Sequence, residues 1–218
     1  MTTLEDVERR SNETARGKIH GAFLLAPYKG LSYTQFIELV EQGLLYSTAQ
    51  IWANPKFYVE LNEDQITHYI CSALDCLGFD ASFNSFQGGH CDVTVKIAFG
   101  YVWLGEAKID HDYEWLNKGY HQLTTRYSTG QVNQNNGGML IYCKKPRIDT
   151  IMEKWKIRLE EGAPGVTLTD WPESASAFYS VAKHERTGAD FRVLHLPISI
   201  YFNPKDKAKG DVAVQAAQ

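Results

Sequence analysis

Asp92, Glu106 and Lys108 are the residues whose types and spacing could do chemistry together. Cys91–Ala98 reads CDVTVKIA, alternates apolar with polar, and is rich in β-branched residues, which predicts a strand. Tyr101–Ile109 reads YVWLGEAKI and is apolar until its end, a second strand. Phe99-Gly100 between them predicts a hairpin turn. If that turn is centred on Phe99, Ile97 faces Tyr101 and Asp92 faces Glu106. Side chains alternate by two along a strand, so Glu106 and Lys108 share a face, and Asp92 opposite Glu106 joins them. A register slip of one residue would break this convergence. Two carboxylates held across a strand pair repel, so one takes a proton or a cation lies between them. Lys108 supplies one positive charge. A hard divalent ion, Mg²⁺ or Mn²⁺, suits the oxygen ligands and stabilises charge on a phosphate, with Lys108 beside the attacking water. The competing structural account is a surface ion pair at a strand end, but charges in so apolar a strand are costly to bury.

The surrounding elements must position these groups. Residues 1–17 read as a polar arm and 18–55 as mixed and aromatic, with a helix around Ser32–Ser47. Asn62 predicts a helix N-cap with Gln65 as its capping-box partner. Ile66, Tyr69, Ile70, Ala73, Leu74 and Leu77 then form an apolar stripe that Gly78 stops. A short strand follows at Asp80–Phe86. Beyond the hairpin the pattern predicts a helix over Tyr113–Tyr127, a polar loop Ser128–Asn136, a buried strand Gly138–Cys143, and a helix Ile148–Glu161 ended by Gly162-Ala163-Pro164-Gly165. A late strand, Phe191–Phe202, contains Pro197 and is expected to be an edge strand or to be broken there. This order predicts an α/β domain with one mixed central sheet and helices on both faces. The expected layout is the arm, a single domain over 18–203 with its core at about 60–160, and a mobile tail over 204–218.

Asp92-Val-Thr-Val, a turn, then Gly105-Glu106-Ala107-Lys108, preceded by an acid-headed helix and a short strand, resembles the signature of the PD-(D/E)xK nuclease superfamily. The resemblance covers roughly residues 60–145 and implies a restriction-endonuclease-like core. It implies that Asp92 and Glu106 are metal ligands, with the Ala107 carbonyl as a further ligand, and that Lys108 is the catalytic lysine. The family often adds a glutamate from the preceding helix, and Glu63 is the nearest match, with Asp64 and Glu60 competing; an acid in a first helical turn is also explained by the helix dipole. Some members similar to RecB-type nucleases place a Gln and a Tyr on the next helix. Here that helix reads Gly119-Tyr-His-Gln122-Leu-Thr-Thr-Arg126-Tyr127, one residue longer than the family form. At helical spacing Gln122 and Arg126 share a face and can donate to phosphate. The proline expected early in the signature is absent, since Gly89-His90-Cys91 precedes Asp92. His90, His111 and His121 are read as structural.

Composition narrows the class. The chain has 218 residues, 44% hydrophobic, with net charge −4, which suits one α/β domain. The stretch Trp115–Arg158 carries eight basic residues, Lys118, Arg126, Lys144, Lys145, Arg147, Lys154, Lys156 and Arg158, against Asp149 and Glu153, a local excess of six. Such asymmetry suits a phosphate-binding face, with solvated helix surface as the alternative. No run of about 18 apolar residues predicts a membrane span. Met1–Asn12 lacks an apolar h-region, and Cys71, Cys76, Cys91 and Cys143 form neither a CxxC pair nor a zinc pattern. A cytoplasmic protein with reduced, mostly buried thiols is expected. No Walker A loop and no Ser/His/Asp signature is present. The expected partners are nucleic acid, DNA favoured over RNA by the resemblance alone, and by analogy a helicase or sensor of a bacterial defence or repair system that selects the target. A homo-oligomer is left open. The alternative is a non-catalytic nucleic-acid-binding or scaffolding subunit.

Overall fold

The computed structural model describes residues 3–86, 88–97 and 99–206. Its elements begin with three helices, α1 Leu4–Ser11, α2 Ala15–Lys29 and α3 Tyr33–Ala53. The polar arm is therefore helical, started by Thr3, whose hydroxyl accepts the Asp6 N–H while Asp6 returns the bond. Ser32 with Gln35 builds the same reciprocal cap on α3, and Asn62 with Gln65 builds it on α4, Glu63–Cys76. Such caps satisfy N–H groups that have no partner inside the helix.

Three strands follow: β1 Asp80–Phe86, β2 His90–Ile97 and β3 Tyr101–Ile109. The chain continues through α5 Tyr113–His121, a π-helical stretch Gln122–Tyr127, β4 Asn136–Cys143, α6 Ile148–Gly162, β5 Thr167–Asp170, β6 Phe178–Lys183 and β7 Asp190–Ser199. The strands form one mixed sheet in the order β1-β2-β3-β4-β7-β6-β5. β3–β4 and β4–β7 are parallel and the other pairs antiparallel. The fold is thus a mixed α/β architecture.

The sheet separates two cores. On one face Ile19 of α2, Phe36 and Val40 of α3, and Ile66 and Ile70 of α4 pack with Val93, Trp103 and Leu196. On the other, Leu116 and Tyr120 of α5, Leu123 of the π-helix, and Trp155 and Leu159 of α6 pack with Leu104, Ile141 and Val193. The buried core therefore runs from Ile19 to Ile200, wider than the expected span of about 60–160. Cys71, Cys91 and Cys143 are buried free thiols and Cys76 is exposed.

Two expectations are corrected at the C-terminal end. β7 is not an edge strand: it lies between β4 and β6. It is not broken at Pro197 either, which pairs with Ile141 of β4. The last β6–β7 partners are Phe178↔His195. Pro197 lies beyond them, where the missing N–H takes no bond from β6. The β5–β6 hairpin is an element the sequence pattern did not reveal, because its short strands lack clear alternation. Of the tail expected to be mobile, residues 207–218 lie outside the described residues. Among the described residues no helix is long and apolar enough to cross a membrane.

Candidate active site

The site lies where β3 ends. The turn at Phe99-Gly100 sets the register Ile97↔Tyr101 through Val93↔Gly105, as the hairpin reading requires. Trp103 through Ile109 are all buried because β3 has strands on both sides and helices on both faces. Glu106 and Lys108 are thus charges inside a core strand, their side chains only 2% and 6% exposed.

Asp92 reaches them by a different route from the one alternation suggests. The paired ladder stops at Val93↔Gly105. Cys91 packs in the core beneath α5 and α6, whereas Val93, two residues on, packs in the opposite core, so alternation breaks at Asp92. Asn84, the residue of β1 between the paired Phe83↔Val93 and Ser85↔Cys91, has φ 53° and drops out of the ladder. The Asp92 carboxylate consequently accepts the Ala107 N–H at 2.9 Å, a bond that a strand carbonyl would otherwise take.

Glu63 completes the group from the first turn of α4. One carboxylate oxygen accepts the Ile109 N–H at 2.8 Å, and the other lies 3.4 Å from Lys108 Nζ. Its neighbours Asp64 and Glu60 are exposed. Lys108 Nζ is 2.6 Å from Glu106 Oε1, 3.7 Å from Asp92 Oδ2, and donates to the Ala107 carbonyl at 2.8 Å. Trp115 of α5 covers this ammonium with its ring centroid at 5.2 Å, and Lys118 lies 5.1 Å from the same centroid. Gly119 lets α5 approach, since a Cβ there would lie 3.0 Å from Lys108 Cγ.

The electrostatics follow from three acids around one base. Burial, then the Asp92 charge, pushes Glu106 up to about 7 against the attraction of Lys108. Burial also raises Asp92, offset by the Ala107 N–H and Lys108 and reinforced by Glu63 and Asp64. For Lys108 burial pulls downward, but the carboxylates, Glu106 first, more than restore it and leave it raised. Among the described residues Glu106 Oε2 is buried without a hydrogen-bond partner, the kind of orphaned acceptor that a cation or a proton satisfies.

These donors bear on a metal in two ways. Among the described residues no three His, Cys, Asp or Glu side chains form a group able to hold a metal ion. Glu63, expected as a ligand, spends its oxygens on Ile109 N–H and Lys108. What remains is hard oxygen chemistry of the kind Mg²⁺ or Mn²⁺ takes: the buried Glu106 with one oxygen that has no hydrogen-bond partner among the described residues, and the part-buried Asp92; the Ala107 carbonyl already accepts from Lys108.

The other predicted residues divide. The π-helix makes Gln122 face Tyr127, to whose hydroxyl it donates at 3.2 Å, instead of Arg126. Five-residue spacing there takes up the extra residue noted in the sequence. Burial first, then the Glu106 and Asp92 charges, pushes the Tyr127 hydroxyl up to about 12. Arg126 is exposed next to the β1–β2 turn, where a Cβ on Gly89 would lie 2.8 Å from its Cδ. Lys144 donates to the Leu61 carbonyl at 3.2 Å, and Lys145 to the Asp110 and His111 carbonyls at 2.6 and 2.9 Å, so both act on loop backbone. Arg147 pairs with Asp149, Lys156 with Asp170 and Arg158 with Glu161. His90, His111 and His121 are exposed rather than built into the core. Sequence reasoning missed Trp115 and Gly119; a tryptophan and a glycine four apart after the lysine strand were the available signal.

No family model, no curated protein and no solved structure matches this chain.

Proposed function

We propose that this chain is a metal-dependent nuclease with a restriction-endonuclease-like core, hydrolysing phosphodiester bonds in nucleic acid, DNA before RNA. The observation that carries the reading is the buried Glu106 at the end of a core strand, with one oxygen on Lys108, which Asp92 also approaches, and the other without a partner among the described residues. Burying such a group is costly, and a site of this kind is more readily explained by chemistry than by stability. Asp92, Glu106 and the Ala107 carbonyl would hold Mg²⁺ or Mn²⁺, which supplies Lewis-acid stabilisation of charge developing on the phosphate. Lys108 keeps its proton, its ammonium positioned by Glu106, Glu63 and the Trp115 ring. Glu63 acts as a positioning residue through Ile109 N–H and Lys108 and not as a third ligand. The chain is further proposed to be a cytoplasmic effector whose target is chosen by a partner such as a helicase or sensor in bacterial defence or repair.

A second reading, a nucleic-acid-binding or scaffolding subunit without catalysis, is favoured by one observation: Lys108 already lies among all three carboxylates. Cleavage of plasmid and single-stranded DNA with Mn²⁺ or Mg²⁺ separates the two. Wild type is expected to cut, while Glu106→Ala and Lys108→Ala each lose about a hundredfold or more with melting temperatures that show a folded protein. Cutting that persists in EDTA removes the metal-dependent reading. Silence of the wild type, alone and with its partner, leaves the scaffolding role.

A further inference from the structure

The β1–β2 turn leads directly into Asp92 and carries a feature that the hydrolytic group does not use. Phe86 is 74% exposed, more than any other phenylalanine among the described residues. Its ring meets the exposed His90 edge-on, with centroids 5.9 Å apart and planes at 82°. Between them Gly88 has φ 66°, and a Cβ on it would lie 2.6 Å from the Arg126 carbonyl oxygen. Gly89 likewise leaves no room for a side chain against Arg126 and Tyr127. The two glycines therefore pack against the π-helix, and the Arg126 side chain passes beside Gly89, the residue before His90. Arg126 is exposed and makes no ion pair among the described residues. His90 precedes Asp92 by two residues, about 7 Å of extended strand.

From this juxtaposition the geometry points to a base-stacking site for single-stranded nucleic acid: an unpaired base stacks on the exposed Phe86 ring with His90 edge-on beside it, Arg126 holds backbone phosphate, and the strand leads on toward the Asp92 end of the site. An aromatic face beside a cation is what single strands use, since every base has a π-face, whereas a duplex keeps its bases stacked on one another. A guanidinium meets phosphate without reading sequence. This inference rests on the nuclease reading and names its substrate class.

The test is fluorescence anisotropy of the full chain in EDTA, where nothing is cut, with labelled oligo-dT, oligo-rU and a matching DNA duplex. Phe86→Ala is expected to weaken single-strand binding about tenfold and leave duplex binding unchanged, while Phe86→Trp retains the affinity of wild type. A loss on oligo-dT but not on oligo-rU assigns the site to DNA, and the reverse assigns it to RNA. Thermal melts check that Phe86→Ala is folded, as an exposed position predicts. Wild type and Phe86→Ala binding single strands equally would overturn the stacking site and leave the nuclease reading intact, because cleavage is measured separately. A wild type that neither binds nor cuts any strand overturns both.

Discussion

At the scale of single residues, three acids share one lysine, and their protonation ties stability to pH. Glu106 has a folded value of about 7 against its usual 4.5. The folded protein therefore holds this proton more tightly than the unfolded chain. The stabilisation is fully present below about 4.5 and is lost as pH rises through about 7, on the order of 3 kcal/mol in all. The raised Asp92 acts in the same sense. Metal-free wild type should thus melt at lower temperature above neutral pH than in mild acid, and Glu106→Gln should flatten that slope; a melting temperature that rises through this window contradicts the buried-acid picture. Asp92→Asn removes one like charge while keeping an oxygen for the Ala107 N–H. In EDTA it should melt no lower than wild type, and millimolar Mg²⁺ or Mn²⁺ should raise wild type by mass action and the variant much less. If the variant instead melts lower without metal and both gain equally with it, Asp92 and Glu106 do not form one site. Among the acids heading α4, Glu63→Gln should reduce cleavage more than Asp64→Asn or Glu60→Gln, because only Glu63 touches Lys108 and Ile109. Equal, mild losses at all three would reduce Glu63 to a helix-dipole partner.

At the scale of elements, α5 and the π-helix form one wall of the site, and each depends on a local irregularity. α5 comes close to β3 because Gly119 has no side chain: a Cβ would lie 3.0 Å from Lys108 Cγ and 3.1 Å from both Lys108 Cε and Met139 Cε. Gly119→Ala gains about 1 kcal/mol of helix propensity, which offsets part of the crowding. Stability should change little, while displacement of the lysine should lower cleavage about ten- to hundredfold. Melting temperature and turnover measured together decide this. Unchanged turnover would mean that α5 does not set the lysine's position. The π-helix turns Gln122 toward Tyr127, while the Arg126 side chain lies against Gly89.

At the scale of the whole molecule, the positive excess of Trp115–Arg158 is not one uniform binding face. Lys144 and Lys145 hold loop carbonyls, and Arg147, Lys156 and Arg158 each have an acidic partner. Lys118, beside the Trp115 ring that also covers Lys108, Arg126, and Lys154 on α6 remain as exposed charges without an ion pair among the described residues. Charge reversal at Lys118 or Arg126 should weaken nucleic-acid binding for all sequences and lower the salt slope by about one unit. Reversal at Lys144 should act mainly on folding. Identical affinity and salt slope in all three variants would mean that the stretch is ordinary solvated surface.

The sequence by itself determined what local geometry can determine. Phe99-Gly100 set the hairpin register, and the reciprocal caps at Ser32 and Asn62 set where helices begin, because turns and caps involve residues three or four apart. The placement of Glu106 and Lys108 on a buried strand followed from the same register. Tertiary structure decided what depends on contacts distant in the chain. It chose Glu63 over Asp64 and Glu60 by the docking of α4 against the end of β3. It broke the alternation at Asp92 opposite the left-handed Asn84, so that Asp92 meets Ala107 N–H. It placed the Pro197 strand mid-sheet, between β4 and β6, where Pro197 is tolerated because β6 begins only at Phe178, opposite His195. Single-strand patterns carry no signal for these outcomes, since each depends on which neighbour a strand or helix finds once the two cores close around the sheet.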